Sequence, residues 1–77
     1  MSQLPSIGHI VHYESYGTPR GEYKSECRAA IVTEVDDAEL GVVGLCVLNP
    51  TGLFLNLHVK QDEHNHSGGS WHWPERV

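Results

Sequence analysis

The stretch Gly68-Gly69-Ser70-Trp71-His72-Trp73-Pro74-Glu75 constrains the fold more than any other part of this chain. It holds both tryptophans of a 77-residue protein. The glycine pair gives a hinge, and Trp-His-Trp alternates with the period of two that sends successive side chains to opposite faces of a strand. Pro74 then stops the strand, because proline has no N–H to give to a ladder. Two indoles on one face are a large share of any core this small. Ser70 to Trp73 is therefore expected to be a terminal strand that closes a small β-structure.

The rest of the chain supplies four more strands and no helical pattern. Ile7 to Tyr13 is β-branched and aromatic, with Ile7, His9, Val11 and Tyr13 on one face. Both of its faces carry apolar groups, as at a barrel seam or an oligomer contact. Cys27 to Val35 reads as strand two, with Cys27, Ala29, Ile31 and Val35 expected to point inward. Arg28, Ala30, Val32 and Glu34 take the other face. After an acidic turn (Asp36-Asp37-Ala38-Glu39), Leu40 to Leu48 reads as strand three, and Gly44 within it suggests a bulge. Asn49-Pro50-Thr51-Gly52 is turn chemistry. Leu53 to Lys60, the cleanest period-two run, should return as strand four of an antiparallel hairpin. Five short strands with turn-rich links predict an all-β domain spanning residues 1–77, a small SH3-like barrel of antiparallel strands.

Composition limits the function classes. Ten acidic residues against five basic ones give a formal charge of −5, which argues against a general DNA or RNA binder. No charged and apolar leader and no apolar run of about 20 residues is present, so a soluble, cytoplasmic protein that binds no membrane is expected. The hydrophobic share is only 39%. A core that lean leads to the expectation of a homo-oligomer.

Several groups could carry chemistry. Stretch 14–26 is long for a connection in a compact domain, and holds Tyr16, Arg20, Tyr23 and Lys24. Aromatics beside cations suit a planar anionic ligand. Arg28 follows directly, and its planar fork fits a phosphate, or else a salt bridge across the sheet to Glu34 or Glu26. Tyr13, Tyr16, Arg20, Lys24, Arg28 and Trp71 form the candidate ligand-binding set. Trp71 and Trp73 would serve it as a stacking platform, or would instead be core. His64 and His66, with Asp62 and Glu63, have the look of a transition-metal pair or of a solvated loop. Cys27 and Cys46 read as buried, reduced thiols, and a zinc site joining them to His9 or His12 is a further option. No nucleophile sits in a local catalytic signature and no phosphate loop opens a helix. The expectation is a protein that is not an enzyme and uses no cofactor or metal.

Three segments carry a resemblance. They are Gly8-His9-Ile10-Val11-His12-Tyr13, Cys27-Arg28-Ala29-Ala30-Ile31-Val32-Thr33 and Gly69-Ser70-Trp71-His72-Trp73-Pro74-Glu75. In these the chain resembles a family of small uncharacterised proteins from bacteriophages and actinobacterial genomes. No functional residue carries over from that family. At class level the resemblance implies a virion component, a host-takeover factor or an anti-defence protein. One anti-defence type is a sponge, a small oligomer that sequesters a cyclic nucleotide immune signal without turning it over. The alternative is a non-enzymatic protein-interaction or phage assembly module.

Overall fold

The computed structural model describes residues 3–16 and 26–74. They form β1 (Ile10–Glu14), β2 (Cys27–Asp37), β3 (Val42–Asn49), β4 (Gly52–Gln61) and β5 (Ser70–His72). The strands close into a barrel in chain order, β1-β2-β3-β4-β5. The fold is thus all-β, consistent with a small SH3-like barrel. Among the described residues no helix is long and apolar enough to cross a membrane.

Four of the five seams are antiparallel. The fifth differs from expectation: β5 runs parallel to β4, pairing Lys60 with Ser70 and Gln61 with Trp71. A hairpin return would have made it antiparallel. Instead, residues 62–69 carry the chain across one end of the barrel, so β5 re-enters in the direction β4 left. Asp62 anchors that crossing. Its carboxylate accepts from the Asn65 and Ser67 amides at 3.0 and 3.2 Å and from the Ser67 hydroxyl at 2.6 Å.

The expected β3–β4 hairpin forms, with Asn49 opposite Gly52 across the two-residue Pro50-Thr51 turn. Gly44 lies within a bulge, as its sequence position suggested, because the β3–β4 register shifts between Val43 and Leu45. Two further shifts in β2–β3 bend the long strands enough to close so small a barrel. Strand bounds move slightly. The chain turns at Ile7-Gly8, so β1 begins at Ile10, and β3 begins after Gly41, in the turn from β2.

The core is Val11, Tyr13, Ala30, Val32, Val43, Leu45, Val47, Val59 and Trp71, with Val35 and Trp73 packed against it. This inverts the sequence expectation for β2. Ala30 and Val32 are fully buried, whereas Cys27, Ala29 and Ile31 face outward. Both faces of β2 are apolar near its start, so alternation defines two sets of side chains without saying which is inside. Register decides it: Ala30 lies between Val11 and Val47, both interior residues. Val35 regains the interior because the first bulge resets the phase.

Trp71 is the keystone of this interior. Fully buried, it donates its indole N–H to the Gly41 carbonyl at 2.7 Å. Gly41 has φ of 72°, and a Cβ there would stand 2.5 Å from Gln61 Oε1. One side chain therefore ties β5 to the β2–β3 turn, while Gln61 of β4 packs against the same glycine.

Candidate functional site

The described members of the expected ligand-binding set, Tyr13, Tyr16, Arg28 and Trp71, do not form one exposed surface. Trp71 lies inside the barrel with its N–H bonded, which corrects its assignment as a stacking platform. Tyr13 is also core, paired with Trp71 across the β1–β5 seam, and burial, then the neighbouring Tyr16, pushes its phenol pKa up. Arg20 and Lys24 lie outside the described residues. Tyr16 is largely exposed, but its phenol lies over Gly69, where any Cβ would collide with it. The glycine pair, read as a hinge, is thus also a seat for Tyr16. Arg28 stands opposite Tyr13 on the inward-facing side of β2. Its Nε is buried without a hydrogen-bond partner among the described residues. Arg28 is therefore not the outward surface residue that the sequence suggested.

Three constellations stand out on the outside. The first is an apolar wall. Register places Ile10, Ile31, Cys46 and Leu55 in one outward row and Ala29, Leu48 and Leu53 in the next, with Leu57 beyond Leu55. Ile10 is 63% exposed, Leu53 68%, Leu55 77% and Leu57 65%. Moreover, Leu53 to Leu57 have β3 on one side, and β5 joins β4 only at Lys60 and Gln61. Sequence reading found the alternation here without assigning the leucines to either face.

The second is a histidine–thiol cluster. His12 and His72 pair across β1–β5, and Cys27 opens β2 beside them. Donor atoms of these three lie within 4.8 Å of one another. His66 stacks on His72 with centroids 3.6 Å apart and planes 6° from parallel. A left-handed backbone at His66, φ 49°, accompanies that stack. Burial, then His66, then His12 lower the His72 pKa, and its Nδ1 is buried with no hydrogen-bond partner among the described residues. The suggested metal pair His64 and His66 is divided, since His66 turns to His72 while His64 lines a separate cleft. Both cysteines are outside any disulfide, in line with the sequence reading, but Cys27 is exposed and Cys46 half-buried, which corrects the expectation that they are buried.

The third is that cleft, about 900 Å³, walled by His9, Leu40 and Trp73 together with Glu39, Asp62 and Glu63. His9 and Trp73 meet edge to face at 5.2 Å. Glu63 is held in place, accepting from Gln61 Nε2 at 2.8 Å and the Trp73 amide at 2.9 Å. Three carboxylates around an open cleft repel an anion, so it does not suit a phosphate-bearing ligand.

No protein-family model, curated protein or solved structure matches the chain.

Proposed function

We propose that this protein is a non-enzymatic assembly module that works by docking its outer β-wall onto a second copy of itself. The observation that carries the reading is the exposed apolar face of β1 to β4. Ile10, Leu48, Leu53, Leu55 and Leu57 each expose on the order of 100 Å² or somewhat less, so the wall presents roughly 400–500 Å² of apolar surface. Two copies face to face would cover about 1,000 Å², near the lower bound of stable interfaces before any polar rim is counted. A second copy is the fitting occupant because the wall is continuous across β1 to β4 and its rows carry no charged side chain, so two like faces can meet about a two-fold axis without opposing like charges. Leu53-Phe54-Leu55-Asn56-Leu57 also carries none of the charges or prolines that keep an open strand edge from pairing.

Sedimentation tests this. Wild type should run as a dimer or larger at micromolar concentration. Leu55→Glu should be monomeric with an unchanged β-type circular dichroism spectrum, since Leu55 supports no core contact. A wild type that is monomeric throughout that range would remove the reading.

One observation favours a second reading, sequestration of a cyclic nucleotide immune signal. The buried Nε of Arg28, opposite Tyr13, has no hydrogen-bond partner among the described residues, and a phosphate oxygen would supply one. If a phosphate fills that role, Arg28→Ala should weaken binding by about 1.5–3 kcal/mol, roughly ten- to a hundred-fold. Calorimetry against cyclic dinucleotides, cyclic trinucleotides and cyclic ADP-ribose isomers measures it. No heat from any of them, with a folded protein, leaves the assembly reading alone.

A further inference from the structure

We propose that His12, Cys27 and His72 form a zinc site that staples β1, β2 and β5 together. The three donors sit on three strands around two adjacent seams, which is why no local spacing in the sequence announces them. Tetrahedral zinc with bonds of about 2.0–2.1 Å to nitrogen and 2.3 Å to sulfur places N and S donors about 3.5 Å apart. Cys27 Sγ and His72 Nε2 are already 3.8 Å apart. The limiting separation of 4.8 Å closes with under about 1 Å of movement per side chain. The two imidazoles meet edge to face, 86° between planes with centroids 5.5 Å apart, so they are not stacked flat on each other.

The chemistry of the donors selects the ion. Two imidazoles and a thiolate suit a borderline-soft divalent metal, and the set lacks the oxygen cage that calcium or magnesium requires. Three protein donors leave a fourth position for water. Binding replaces the Cys27 S–H bond by an S–Zn bond and releases the proton to solvent. His66, lying flat on His72, contributes a cover in place of a donor atom and shields one side of the cluster.

The place of the site in the fold gives the staple a purpose. β5 has three residues and is held by two pairs to β1 and two to β4. A metal joining His72 to β1 and β2 would fix the shortest strand of a barrel whose core contains nine side chains. Metal binding would then appear directly as folding stability.

The test uses the full chain, freed of metal and titrated with Co²⁺ alone and Zn²⁺ alone. Co²⁺ should bind at one per chain with tetrahedral d–d bands and a thiolate charge-transfer band. Zn²⁺ should displace it and raise the melting temperature. Cys27→Ser should lose the charge-transfer band, and His12→Ala should bind at least about tenfold more weakly. Both substitutions lie outside the core, and circular dichroism checks that each variant folds. His64→Ala should behave as wild type. A folded wild type with no charge-transfer band and no zinc-dependent melting shift overturns the proposal. So does an equal shift in wild type and Cys27→Ser, which would put the metal elsewhere.

Discussion

Replacing Trp71 by phenylalanine should cost about 2–4 kcal/mol, and the structure shows where each part arises. The indole is fully buried and its N–H donates to Gly41 O at 2.7 Å. Phenylalanine leaves that carbonyl without its partner in the interior, about 1–3 kcal/mol. The smaller ring also gives up contact with Tyr13 and the valines, about 1 kcal/mol more. A chain of this length is stable by only about 4–12 kcal/mol, so the loss is a large fraction of the whole. In a domain of this size it should lower the melting temperature by roughly 10–30 °C. Trp73→Phe is the internal control. Trp73 is half-buried at the margin of the core, and the hydrogen bond it donates to the Glu63 carboxylate comes from its backbone N–H. Its substitution should cost under about 1 kcal/mol. Urea unfolding followed by far-UV circular dichroism compares the two without relying on tryptophan fluorescence. A Trp71→Phe variant within about 0.5 kcal/mol of wild type, or one less affected than Trp73→Phe, would refute the assignment of Trp71 as the closing residue.

Gly41→Ala should destabilise by at least about 1–2 kcal/mol, because it forces a side chain into left-handed backbone and against Gln61; thermal melting measures it. Asp62 should shape the acid limb of stability. Hydrogen bonds, first from the Ser67 hydroxyl and then from the loop amides, lower its pKa from 3.8 to about 2. A carboxylate whose folded pKa is depressed stabilises the fold above its unfolded value and loses that contribution as pH falls through the folded one. Wild type should therefore lose stability between about pH 4 and pH 2. Asp62→Asn should show a shallower decline over that window in acid denaturation, and an unchanged slope would contradict the loop geometry.

The strands were legible because period-two alternation and turn residues are local signals, and β-branched runs such as Ile10-Val11 and Ala30-Ile31-Val32 repeat them. What alternation cannot supply is its own sign. Where one face is polar, burial chooses the other; where both are apolar, as at Ala29 to Val32, either phase satisfies the pattern. Closure of the barrel broke the tie, by setting Ala30 between Val11 and Val47. The same ambiguity hid the wall on β4. Leu53, Leu55 and Leu57 belong to the cleanest alternation in the chain, yet Val59 is the only β4 member of the core. The Trp-His-Trp triplet was legible as a closing strand, but His72 became part of a cluster only when β5 was laid beside His12. Pairing over 60 residues of separation is a property of register, not of spacing.

The outward wall and the histidine–thiol cluster share a cause that bears on where function can reside. Among the described residues nine side chains form the core, and Trp71 is the largest of those fully buried. Excess apolar and ligating residues must then face outward, since a sequence can bury only what the interior volume admits. Leucines on the outside of β4 would be a standing aggregation hazard if nothing covered them. The histidine–thiol cluster likewise gathers three ligating side chains, with donor atoms within 4.8 Å of one another, on the outside of the barrel. Both features become explicable with an occupant, a second copy on the wall and a metal at the cluster. The two occupants act on different observables, the sedimentation coefficient and the cobalt spectrum. Leu55→Glu should abolish the first and leave the second intact, whereas Cys27→Ser should do the reverse if the outer face carries two independent sites.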